Sequence, residues 1–125
     1  MVNFSIKRRY NFLGEVCINL DRASLTYSNY IKNGKTFIHA KILKECNLKI
    51  RTLLLENAFI LSPSLQKEVI DLISHYDIWI EKWNDLEKKS KPQLEDVFIF
   101  KNEYIFPKNA ENKIKEELLK VKQEF

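Results

Sequence analysis

Apolar residues recur along this chain at helical spacing in four places. From about Asn3 to Lys32, Ile6, Tyr10, Leu13, Val16, Cys17, Leu20, Ala23, Tyr27, Tyr30 and Ile31 fall on one face at 100° per residue. Glu15, Asn19, Arg22 and Asn29 fall on the other. Asn33-Gly34 closes this helix, because glycine readily adopts the left-handed conformation of a helix C-terminus, and Thr36 is placed to cap the next.

The second segment, Phe37 to Leu61, carries a main stripe of Ile42, Leu43, Cys46, Ile50, Leu53, Leu54, Ile60 and Leu61, with His39 and Asn57 alongside. Phe37, Leu48, Leu55 and Phe59 form a second apolar set on the opposite face. A helix apolar on two faces must cover both, so this one is either central in its own bundle or turned toward another chain.

Ser62-Pro63 reads as a cap and first helical position. The third segment, Pro63 to about Lys89, has the cleanest period, through Leu65, Val69, Leu72, Ile73, Tyr76, Trp79, Ile80, Trp83 and Leu86. Pro92 marks its end. Two β-branched and aromatic stretches follow, Val97–Phe100 and Tyr104–Phe106, separated by Lys101-Asn102-Glu103. They predict a short hairpin or an extended strap over the bundle. A last helix entered at Pro107 has a seam of Ala110, Ile114, Leu118, Val121 and Phe125, with Glu111→Lys115 and Glu116→Lys120 pairs on its wet side. The expected fold is therefore all-α: one domain over residues 1–125, a bundle of about four helices with an aromatic strap or hairpin before the last.

Composition supports this picture. Only 2 Gly and 3 Pro in 125 residues argue against a turn-rich sandwich or barrel. No apolar run is long enough to span a membrane, and the first residues do not read as a secretory signal. The net charge of +4 is mild, and only Arg8, Arg9, Arg22 and Arg51 are arginines. Arginine is the residue that forks onto phosphate and guanine, so the composition disfavours specific DNA binding. The Lys, Asn and Ile bias points to an AT-rich bacterial or phage genome. Cys17 and Cys46 lie within apolar helical patterns and read as buried thiols in a reducing cytoplasm.

Candidate chemistry is sparse. Two glycines exclude a glycine-rich phosphate loop or a nucleophile elbow. The closely spaced Arg–His pair of some helical ribonucleases is absent. Cys17, His39, Cys46 and His75 lack the close pairing of a zinc site, so neither a metal nor a cofactor is expected. The basic cluster Lys7-Arg8-Arg9 with Tyr10 could meet a phosphate backbone; its simpler reading is a solvated face. Tyr76, Trp79 and Trp83 share a face, as bundle core or as interface anchors. No catalytic residue is assigned.

The function expected from these residues is a non-enzymatic protein-interaction module, a small accessory or regulatory protein. It would dock another protein or a second copy through Leu48, Leu55, Phe59, Tyr76, Trp79 and Trp83. The alternatives are a nucleic-acid-binding regulator using Lys7, Arg8 and Arg9, and an enzyme or small-ligand sensor with an interhelical pocket around His39, His75, Tyr76 and Trp79.

Overall fold

The computed structural model describes residues 4–101 and 105–124. The expected Asn3 start, the turn residues Asn102 and Glu103, Tyr104 and Phe125 lie outside them. Among the described residues four α-helices form: α1 (Phe4–Lys32), α2 (Phe37–Asn57), α3 (Pro63–Ser90) and α4 (Lys108–Gln123). Each packs on the next around the bundle, and α4 closes against α1. The all-α bundle read from the periodicity is the observed fold.

Local chemistry sets the boundaries. Gly34 takes φ +77°, as a helix C-terminus asks, and Lys35 follows it into the left-handed region at φ +56°. Ser62 caps α3 by accepting a hydrogen bond from the Leu65 amide at 3.4 Å, with Pro63 at the first helical position. At its far end Lys91 adopts φ +45° and donates its amide to the Glu87 carbonyl.

The second helix stops earlier than its apolar pattern implies. It ends at Asn57 and tightens into a single 3-10 turn over Ala58–Ile60. The Asn57 side-chain amide donates to the Leu53 carbonyl at 3.0 Å, the local competition with backbone bonding that makes asparagine a poor helix interior residue. Gln66 of α3 reaches back to the carbonyls of Phe59 and Leu61 at 3.2 and 2.8 Å, holding the tightened turn.

Thr36 stands at the N-cap of α2 but its hydroxyl does not cap; it lies 3.0 Å from Nδ1 of His39. The strap supplies the acceptors instead. The Asp96 carbonyl takes the Phe37 amide at 2.8 Å, and the Leu94 carbonyl takes the Ile38 amide at 3.0 Å. Phe98 in turn donates its amide to the Lys35 carbonyl at 2.8 Å, and Thr36 and Val97 form an isolated antiparallel bridge. The extended segment thus pairs with the α1–α2 connection as a strap, and the described residues contain no sheet.

The strap alternates as extended backbone does, with Phe98 buried and Val97 and Ile99 exposed. Phe98 lies 5.1 Å from the rings of both Phe37 and Trp83, forming a small core with Tyr30, Ala40 and Trp79. The Tyr30 hydroxyl donates to the Phe98 carbonyl and accepts from the Phe100 amide. The main core unites Leu13, Val16, Leu20, Ile50, Leu54, Val69, Leu72, Tyr76, Ile114 and Val121.

Three further sequence expectations change. Phe37 does not share the fate of Leu48, Leu55 and Phe59, because the strap and Trp83 bury it. Tyr27 and Ile31 are exposed despite lying on the α1 stripe. At 1.5 Å per residue the 29 residues of α1 run about 44 Å and the 16 of α4 about 24 Å, so α4 covers only part of that stripe. Glu111 makes its pair with Lys115, at 3.1 Å, but is buried rather than on the wet side. It stands in the first turn of α4, where the helix dipole favours a carboxylate.

Candidate functional site

Two features of the described surface are the candidate sites: an apolar face on the outside of α2 and one of several cavities between the elements. The face consists of Leu48, Leu55 and Phe59, exposed to 37%, 53% and 66%, with the exposed Thr52 among them. Leu48, Thr52 and Leu55 lie on the side of α2 away from Cys46, Ile50, Leu53 and Leu54, which are buried, and Phe59 follows in the 3-10 turn past the end of α2. At one end the Arg8 guanidinium sits 5.0 Å above the Phe59 ring and 3.5 Å from the Asn57 side-chain oxygen. Phe59 is thereby oriented without being covered.

Tyr76, Trp79 and Trp83, expected as bundle core or interface anchors, are all three buried. Their common face points into the bundle. Trp83 packs on Phe37 and Phe98, Trp79 meets Phe100 edge-on at 5.2 Å, and Tyr76 joins the main core. The strap's aromatic rings provide the apolar surroundings that these side chains need, and periodicity within α3 does not disclose that partner.

The side chains of the basic cluster Lys7, Arg8 and Arg9 have different surroundings. Arg9 turns toward α4, 3.3 Å from Glu124 and 3.9 Å from Glu117, while Arg8 sits over one side of the Phe59 ring and Lys7 faces solvent. Two of the three cations therefore already have partners within the chain.

The cavity has a volume of about 450 Å³ and opens where α4 falls short of α1. Leu20, Ala23, Ser24 and Tyr27 of α1, Leu43 and Asn47 of α2, and His75, Tyr76 and Trp79 of α3 line it. Phe106 of the strap and Lys108 and Glu111 of α4 complete the wall. Of the pocket residues expected from sequence, His75, Tyr76 and Trp79 are brought together, whereas His39 lies apart beside Thr36. Asn47, Phe106, Lys108 and Glu111 were not foreseen. The apolar character of Phe106 was visible, but its meeting with α3 depends on the course of the strap.

Electrostatics divide the cavity in two. Glu111 is held by Lys115 at 3.1 Å and Lys108 at 3.4 Å, and Lys115 also reaches Asp21 at 3.3 Å. The hydrogen bond to Glu111 pushes the Lys115 ammonium pKa up. Burial, with the nearby Glu111 carboxylate adding to it, pushes the Tyr76 phenol far above its usual range, so it keeps its proton. Burial lowers the His75 pKa and favours the neutral ring. That ring lies edge-on to Phe106 at 5.3 Å, and its Nδ1 has no hydrogen-bond partner among the described residues.

Cys17 and Cys46 are buried free thiols, and burial raises both pKa values. Neither has the electropositive, accessible surroundings of a reactive cysteine. Among the described residues no three His, Cys, Asp or Glu side chains gather as a metal site would require. No described helix is long and apolar enough to cross a membrane. No protein-family model matches this chain, and no curated protein or solved structure matches it either.

Proposed function

We propose that this protein is a non-enzymatic protein-interaction module that associates through the outer face of α2, and that the occupant of that face is a second copy of the chain. The observation that carries the reading is the exposure of Leu48 and Leu55 on one face of α2, with Phe59 exposed in the 3-10 turn that follows. Burying each such side chain is worth roughly 1.5–3 kcal/mol, and contiguous apolar surface of this kind usually marks an interface. Charge supports self-association. Lys49 and Glu56 are exposed on either side of Thr52. Two α2 helices packed antiparallel about a two-fold axis at Thr52 bring Lys49 of each copy beside Glu56 of the other. The face is short, so the association is weak.

Thr52→Cys tests this geometry directly. Thr52 is exposed and would lie on the symmetry axis, whereas Cys17 and Cys46 are buried. Under mild oxidation Thr52→Cys is expected to form a disulfide-linked dimer faster than Lys89→Cys, a control at the exposed end of α3. Equal rates would overturn self-association through this face. The bacterial or phage accessory role and the reducing cytoplasm suggested by composition belong to the same proposal.

A further inference from the structure

We propose that the cavity between α1, α3, α4 and the strap is a binding site for an uncharged, planar aromatic molecule. Four aromatic rings, Tyr27, Tyr76, Trp79 and Phe106, contribute to its wall from three separate elements. Such walls favour a flat ring system through stacked and edge-on contacts. The apolar floor comes from Leu20, Ala23 and Leu43. A volume of about 450 Å³ is within the range of small-molecule sites and admits two or three fused or linked rings.

Charge selects against ions. The one carboxylate in the wall, Glu111, is matched by Lys108 and Lys115, and Lys108 also lies 6.0 Å from the Phe106 ring centre. His75 and Tyr76 remain neutral, for the reasons of burial given above. The lining therefore offers neither an unpaired cation for an anion nor an unpaired carboxylate for an amine. A charged ligand entering would lose its hydration without a counter-charge. The buried Asn47 side chain and the Ser24 hydroxyl add neutral polar groups that can orient a ring bearing a single donor or acceptor. This site is separate from the outer face of α2, so either proposal can fail alone.

The probe is N-phenyl-1-naphthylamine, an uncharged two-part aromatic whose fluorescence rises when it leaves water. The intact chain is expected to bind it saturably at one molecule per chain, with energy transfer from tryptophan that falls in Trp79→Phe. Its sulfonated relative, 1-anilinonaphthalene-8-sulfonate, is expected to bind at least about tenfold more weakly. Ser24→Phe places a ring in the mouth from an exposed position and is expected to weaken the neutral probe by about tenfold or more. Leu55→Glu/Phe59→Glu is expected to bind it as the parent does. Non-saturable binding, equal affinity for the anion, or loss of binding in the outer-face variant would each overturn the proposal. Unchanged binding in a folded Ser24→Phe would do so as well. If Ser24→Phe loses its helical signal, the indole N–H resonance of Trp79 in the parent chain decides. It should move as the probe saturates; a fixed resonance overturns the site.

Discussion

The Trp83 ring is 1% exposed and is gripped from three directions, by Phe37, by Phe98 and by the Lys44 ammonium 4.4 Å from its ring centre. Its indole nitrogen has no hydrogen-bond partner among the described residues. Trp83→Ala should therefore cost about 3–5 kcal/mol in denaturant unfolding, through the cavity it leaves. Trp83→Phe should cost less than Trp83→Ala, because it keeps an aromatic ring and removes the unpaired donor. His75 gives a second prediction at this scale. Its pKa in the folded chain is lowered from 6.5, so between the two values the unfolded chain holds a proton that the native chain lacks. Stability then rises with pH in that window and falls on acidification below about 6.5. The melting midpoint should drop as pH is lowered from neutral, and His75→Gln should flatten part of that drop. An identical pH profile in the variant would show that His75 does not contribute to it.

At the scale of elements, α2 and α3 begin with the same kind of residue but are capped by different means. Ser62 accepts the Leu65 amide, whereas Thr36 leaves its helix to the strap carbonyls of Leu94 and Asp96. Ser62→Ala should cost about 0.5–2 kcal/mol, the usual worth of a side-chain cap. Thr36→Ala should cost less than about 0.5 kcal/mol, since no capping bond is lost. Thermal unfolding of the two variants side by side checks the contrast; equal losses would contradict it. The same pair shows what was legible in the sequence. Gly34 and Ser62-Pro63 announced their turns because those preferences are local. The early end of α2 also had a local cause in Asn57, but one hidden under a continuing apolar pattern. The docking of Phe98 between Phe37 and Trp83 joins residues far apart in sequence, and no period within one helix encodes it.

At the scale of the whole molecule, the helix count and the main core followed from amphipathic stripes, because each stripe must find another to bury against. The candidate sites were less legible. Periodicity separated Leu48, Leu55 and Phe59 from the main α2 stripe, but it also joined Phe37 to them and could not say which would remain uncovered. Likewise it set Tyr76, Trp79 and Trp83 on one face without showing that the face turns inward. The cavity arises from the length mismatch between α1 and α4, which becomes visible only once both are packed. The proposal that belongs to this scale is the joining of two copies of the chain through the outer face of α2. Sedimentation velocity at increasing protein concentration, run on the parent chain and on Leu55→Glu/Phe59→Glu, tests it most directly. The sedimentation coefficient of the parent is expected to climb from monomer toward dimer, and the variant to stay monomeric while keeping its helical circular dichroism. A parent that remains monomeric throughout, or a variant that associates as the parent does, would contradict it.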